Sequence, residues 1–253
     1  MHLMATSVEK SFKIVSYLVD HFSGRSIVDI SANLDIHRST AHRLLRVLER
    51  NNVVERTESR GKYRLGTLML QIGSIALSDH GLCQISKPFL EELRNKSKET
   101  TYLSTYSGRE VLYLDFKESI HGIAAMARPG MRLPPHCTPS GKIFLAFGPL
   151  DFRARVFRQH FKKYSKNTII NQDIMRKELK VVKSDGYAVC RNEYEDGITA
   201  MAVPIFTKGQ SVVGAIGVAG PSTRLENIER FVADFKKSAG KISKVLGANA
   251  KLK

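Results

Sequence analysis

The sequence predicts an α+β chain in two unequal parts, and three observations carry that expectation. Apolar residues recur every three or four positions in three consecutive segments before residue 51, the period of helices buried on one face. Two short strand-like runs around a glycine turn follow them. Beyond residue 84, alternating runs joined by tight turns interleave with helical stretches, the pattern of a largely antiparallel sheet flanked by helices.

Taken in order, Val8, Phe12, Val15, Leu18, Val19 and Phe22 form the stripe of a first helix from Ser7 to Phe22, ended by Ser23-Gly24. Ser26 suits the N-cap of a short second helix whose Ile27, Ile30 and Leu34 face inward, with Asp29 at the positive end of its dipole. Asn33 to Ile36 makes the turn. In the third helix Ala41, Leu44, Leu45 and Leu48 form the buried stripe, while Arg38, Ser39, His42, Arg43, Arg46 and Arg50 lie off it. The runs 53–56 and 62–65 then make a hairpin about Ser59-Arg60-Gly61, so three helices and a basic-tipped wing spell a winged helix-turn-helix. A fourth helix, Thr67 to about Ser78, leads to a hinge expected at Asp79-His80-Gly81. After it come a helix from Ile85 to Lys98, a hairpin about residues 107–110, a helix over 138–147 with Thr138 as cap and Pro139 at its first position, a mostly helical basic stretch from Arg153 to Lys183, a strand opening "YAVCRNEY", a second hairpin about Thr207 to Gln210, and a last helix over roughly 225–246.

Composition narrows the function classes. No apolar run approaches the length of a membrane span, and the first 25 residues lack a signal-peptide core, so a cytoplasmic location with no membrane partner is expected. Cys83, Cys137 and Cys190 are odd in number and contain no C-x-x-C pair, which argues against a disulfide framework and a structural zinc. The net charge of +16 favours polyanions, yet residues 1–66 hold only 11 Lys and Arg against 7 Asp and Glu, while residues 67–253 hold 29 against 17. Charge alone therefore does not select the third helix. Its case rests on an apolar back, a polar front beginning at its N-terminus, and the wing that follows directly.

His37, Arg38, Ser39, Thr40, His42 and Arg43 are the residues expected at double-stranded DNA, with Ser39 and Thr40 suited to phosphates and His42 and Arg43 able to reach bases; Arg60 and Lys62 extend the contact from the wing. One such module touches few base pairs, so specificity calls for a dimer on a two-fold symmetric operator. Val8, Phe12 and Val15 serve either the module's own core or that dimer.

The C-terminal part shows no phosphate loop: ten residues separate Gly130 from Gly141, and Ile143 follows Lys142 where Ser or Thr would hold magnesium. Gly214, Gly217 and Gly220 repeat every three residues and lack a dinucleotide-binding spacing. A nucleophilic Cys190 served by His136 and Glu193 is conceivable, but no known local pattern surrounds that cysteine. The expectation is therefore no catalytic residue, no metal and no cofactor.

Four ordered segments resemble one family over essentially the whole chain. "STAHRLLRVLERNNVVER" with "KYRLG" is similar to the recognition helix and wing of the IclR family of bacterial transcriptional regulators. "RPGMRLPPHCTPSGKIFLA" resembles its central segment, and "GYAVCRNEYEDGITAMAVPIF" with "VVGAIGVAGPSTR" its C-terminal sensor motifs. The resemblance implies a DNA-binding domain over 1–66, a linker helix and hinge over 67–83, and a GAF-like effector-binding domain over 84–253. It implies homodimers, often paired as dimers of dimers, and a small effector, commonly an organic or aromatic acid. It places the pocket among Met126, His136, Thr138, Ser140, Gly141, Cys190, Glu193, Ala200, Met201 and Gly217, where free N–H groups at the helix start near Ser140 and Gly141 would seat a carboxylate. The same residues have plainer roles open to them: Thr138 as a cap, Met126 and Met201 as core, and Glu193 as a partner of Arg128 or Arg132. Members that bind small ketoacids carry an acidic residue, a Cys and a Ser where this chain has Cys190, Ala200 and Gly217, which points to a less polar, roomier pocket and a bulkier or aromatic effector. Two other readings stay open, a regulator whose C-terminal domain is purely structural and a Cys-dependent enzyme.

Overall fold

The structure, a computed structural model, describes residues 6–57, 61–78, 81–208 and 210–248. The chain divides into two compact units, residues 1–79 and 80–253, each with its own hydrophobic core.

In the first unit α1 (Ser7–Val19) starts at a capping box in which Thr6 and Glu9 satisfy each other's backbone N–H, and α2 (Ile27–Leu34) starts at a second, between Ser26 and Asp29. Asp35, in the left-handed region at φ 52°, ends α2 and turns the chain into α3 (Arg38–Arg50) within three residues. Ile14, Leu18, Ile30, Ile36, Ala41, Leu44 and Leu45 close the core beneath Val54 and Tyr63. A small antiparallel sheet in the order β1 (Arg25–Ser26), β3 (Lys62–Leu65), β2 (Val54–Arg56) forms the wing. The helix-one stripe differs from expectation. The helix ends at Val19, its buried positions are Ile14 and Leu18, and Val8 and Phe12 stand 64% and 68% exposed, because they lie off the side of α1 that meets α2, α3 and β3. Val19 and Phe22 are exposed as well. Helix α4 (Thr67–Ser78) leaves Leu70, Ile72 and Ile75 exposed.

The second unit begins with α5 (Gly81–Ser97), which starts four residues earlier than its pattern suggests, so Pro88 sits inside it and Gly81 is helical; Asp79 and His80 lie outside the described residues. Six antiparallel strands follow in the spatial order β6 (Arg132–Leu133), β5 (Glu110–Lys117), β4 (Thr100–Ser107), β9 (Val212–Pro221), β8 (Ile198–Phe206), β7 (Ala188–Arg191). The β4–β5 hairpin closes on Gly108 at φ 64°, a conformation open to glycine. Period-two alternation divides the sheet's faces. Leu103, Met201, Val203, Ile205, Ile216 and Val218 pack against α5 and α9 (Val232–Val245). Tyr102, Tyr113, Ala202, Ala215 and Ala219 face α6 (Pro139–Phe147), α7 (Leu150–Phe157) and α8 (Gln172–Asp185). The basic stretch is thus two helices joined by the non-helical segment 158–171, and the last helix starts at Val232 after a 3-10 turn over Ile228–Phe231. Among the described residues no helix is long and apolar enough to cross a membrane.

Candidate functional site

Helix α3 turns a charged face outward. Ala41, Leu44 and Leu45 anchor it, while Arg38, Ser39, His42 and Arg43 are exposed and Thr40 half-buried. Two ion pairs form among the described residues of this unit, Arg56 with Glu49 (3.1 Å) and Arg64 with Glu55 (2.7 Å), and they leave Arg38, Arg43 and Arg46 uncommitted. His37 also caps the helix, because its Nδ1 accepts from the Ser39 N–H at 3.4 Å. Lys62 is half-buried at the start of β3, paired across the sheet with Ser26. Arg60 lies outside the described residues.

In the second unit a cavity of about 320 Å³ opens on the α6 face of the sheet. Its floor is a row of small side chains, Cys190, Ala200 and Ala219, which are direct neighbours across β7, β8 and β9. Tyr113, Met131 and Leu133 stand on one side; Glu193, Tyr194, Glu195 and Ile198 stand on the other; Cys137, Thr138 and Pro139 close the end at the start of α6. Ala124, Ala125 and Met126 cover it, and this cover is pinned. Thr100 Oγ1 donates to the Ala125 carbonyl (3.1 Å), and Arg224, paired with buried Glu99, donates to the Ile123 carbonyl (2.7 Å).

Of the ten residues expected at an effector, Met126, Thr138, Cys190, Glu193 and Ala200 are brought together around this one cavity. The other five expected residues do not line it. Met201 is one residue out of phase with Ala200 and points to the α5 and α9 face. Gly217 is covered by Tyr102: a Cβ there would lie 2.5 Å from that ring and 2.3 Å from the Met201 carbonyl, so the tyrosine fills the depth that the glycine leaves. Gly141 abuts the backbone of Pro135, where a Cβ would meet the carbonyl oxygen at 2.2 Å, and Ser140 Oγ lies 2.8 Å from Ser104 Oγ. His136 stacks on Phe161 and donates through Nε2 to the Lys162 carbonyl (2.9 Å), with burial holding its pKa below the usual imidazole value against that hydrogen bond. Thr138 occupies the N-cap position of α6, yet its hydroxyl donates to the Pro134 carbonyl and makes no cap bond.

The charged group behind the wall escaped sequence reasoning. Lys142, 1% exposed, holds its Nζ 2.9 Å from Glu178 and 2.7 Å from Glu193. Burial alone would lower the pKa of this ammonium, and its neighbours Cys190, Glu193 and Glu178 together outweigh it and raise it. Glu193 thus pairs with Lys142, whereas Arg132 pairs with Glu110 (3.4 Å). Burial still raises the Glu193 pKa despite Lys142 and leaves its Oε2 without a hydrogen-bond partner. The thiols beside it are inert: burial holds Cys190 well above its ordinary value and pushes Cys137 up to about 12. Cys190, held neutral, and His136, bonded to the Lys162 carbonyl, do not form an activated nucleophile and base. Tyr113, Tyr194, Cys137 and Ala219 had left faint signals at best, namely the alternation of their strands and the pairing of small residues opposite Ala200.

The chain matches two family models, one described as the IclR helix-turn-helix domain over residues 7–58 and one as the bacterial transcriptional regulator IclR C-terminal domain over 74–244. It is 27% identical over 244 residues to the HTH-type transcriptional regulator XynR of Escherichia coli K12, covering 95% of this chain and 97% of that one. Among solved structures it is similar to an IclR transcriptional regulator from Alicyclobacillus acidocaldarius (25% identity, TM-score 0.86, 97% and 100% of the two chains). It is also similar to an IclR homolog from Microbacterium hydrocarbonoxydans complexed with 4-hydroxybenzoate (26% identity, TM-score 0.82, 95% and 99%).

Proposed function

The chain belongs to the IclR family of bacterial transcriptional regulators, and from that premise we propose how its two sites work together. Helix α3 and the wing bind a two-fold symmetric operator in the cytoplasm, with His37, Arg38, Ser39, Thr40, His42, Arg43, Arg60 and Lys62 at the DNA. A small organic or aromatic acid held in the second unit changes that binding. The observation that carries the sensing half is the cavity itself: its volume falls at the small end of ligand pockets, which run from about 300 to 1,000 Å³, enough for one single-ring molecule. The floor of Cys190, Ala200 and Ala219 suits a flat ring, and the 4-hydroxybenzoate in the Microbacterium relative supports an aromatic one. A purely structural domain would have no need of a pinned cover over open space, and a cysteine-dependent enzyme would need a thiol less suppressed than Cys190.

The apolar residues left bare on α1 and α4 offer surface for a homodimer or a dimer of dimers, and α4 supplies the path by which an occupied sensor alters the spacing of two recognition helices. The test uses full-length protein and a duplex recovered by in vitro selection. Arg43→Ala weakens binding by about 1–3 kcal/mol with the fold intact. A panel of small acids led by 4-hydroxybenzoate contains at least one member that shifts operator affinity, and Ala200→Leu, which fills the floor, removes that response. A panel without effect on DNA binding sinks the sensing half; unchanged binding by the arginine variant moves base reading to a neighbour.

A further inference from the structure

The segment from Arg153 to Lys183 carries ten Lys and Arg against two acidic residues, spread over α7, α8 and the segment that joins them. Both carboxylates are engaged locally. Glu178 turns inward to Lys142, and Asp173 lies 3.8 Å from Arg176. Arg158, Lys162, Lys163 and Lys166 on the joining segment, with Lys177 and Lys180 on α8, are exposed, and among the described residues no carboxylate lies within ion-pair distance of them. The parts that carry them are in contact. The Arg176 guanidinium lies 4.6 Å above the Phe157 ring at the end of α7, Phe157 packs edge-on against Phe161, and Gln172 donates to the Phe157 carbonyl at 2.8 Å. At 100° per residue, Arg176, Lys180 and Lys183 fall within about 60° of one another, on the flank of α8 that Arg176 turns toward α7.

We infer that this α7–α8 face is a second DNA contact, binding the phosphate backbone of duplex DNA without reading sequence. An exposed array of uncompensated cations matches a polyanion; its exposed ring, Tyr164, already lies under the Lys162 ammonium at 5.2 Å and packs against Tyr194, so it does not make the row of free rings on which single-stranded nucleic acid stacks. Duplex DNA is the polyanion the same chain already engages through α3, and the tether makes the second contact intramolecular, at an effective concentration far above that of a free competitor. This goes beyond the operator reading, in which the second unit only senses.

The experiment compares full-length protein with its Lys162→Gln/Lys163→Gln/Lys166→Gln variant on a fluorescent random-sequence duplex of about 60 base pairs, titrated across salt concentration. Each lost phosphate contact lowers the slope of log affinity against log salt by about 0.9 and weakens binding at about 0.1 M salt by roughly tenfold. The expected result is a slope reduced by about 2–3, with melting temperature unchanged because all three side chains are exposed. An unchanged slope overturns the inference. So does transfer of the salt-dependent loss to phosphatidylserine vesicles or to single-stranded RNA while duplex binding stays at the wild-type level. A second triple variant, Arg158→Gln/Lys177→Gln/Lys180→Gln, must show the same reduction, and if either variant melts early the other decides.

Discussion

At Lys142 the cavity wall holds one ammonium between two carboxylates where water barely reaches. Breaking a buried pair by removing one partner destabilises by about 3–5 kcal/mol, because the charge left behind is uncompensated. Lys142→Met is therefore expected to lower stability in urea by about that amount. Most of the loss traces to Glu193, since Glu178 is a third exposed and can hydrate. Adding Glu193→Gln should recover a large part of it, and a double variant as unstable as the single one would show that packing, not charge, dominates. Gly217 teaches a related lesson. Expected in the pocket, it lies one layer behind, and its missing Cβ admits the Tyr102 ring, which stacks on cavity-lining Tyr113 at 4.7 Å.

Among the helices and strands, period and caps are readable along the chain. The helices α2, α3 and α6, the two hairpins and the wing follow from local spacing and turn residues, because each buries a stripe or a face that its own sequence declares. Boundaries set by packing are less visible. Helix α5 begins before its pattern suggests, and α1 covers its core with Ile14 and Leu18 while Val8 and Phe12 stay bare. The junction of the wing and α4 gives a sharp expectation. A Cβ at Gly66 would lie 2.3 Å from the Asn52 carbonyl oxygen, inside the turn where Gly66 and Leu68 donate to Val53 and Asn52. Gly66→Ala should destabilise the first unit by about 1–3 kcal/mol through forced backbone movement, measured by thermal melting together with operator affinity. An unshifted melt would mean that the turn relaxes freely.

Across the full chain, the proposed effector site predicts that stability depends on ligand. A ligand that binds only the folded state, at about a hundredfold its dissociation constant, adds about 2.7 kcal/mol. For a unit of this size that is a melting shift of roughly 5–10 °C. A responsive acid should produce such a shift in the wild-type chain and none in Ala200→Leu; an equal shift in both would place the ligand elsewhere.

Local pattern along the chain was enough for a winged helix-turn-helix followed by an antiparallel α+β domain and for the exposed front of α3, while the expected pocket residues came from the family resemblance and not from pattern. The two domains and that front follow from the period of apolar residues and from turn chemistry, both properties of near neighbours in sequence. Packing between distant segments settled the rest: Ala200 and not Met201 meets the cavity, His136, Ser140 and Gly141 are spent on internal contacts, and Lys142 joins Glu178 to Glu193. Each of those depends on contacts between elements far apart in the chain, or on which face of a strand a neighbouring helix covers, and local periodicity carries no record of either.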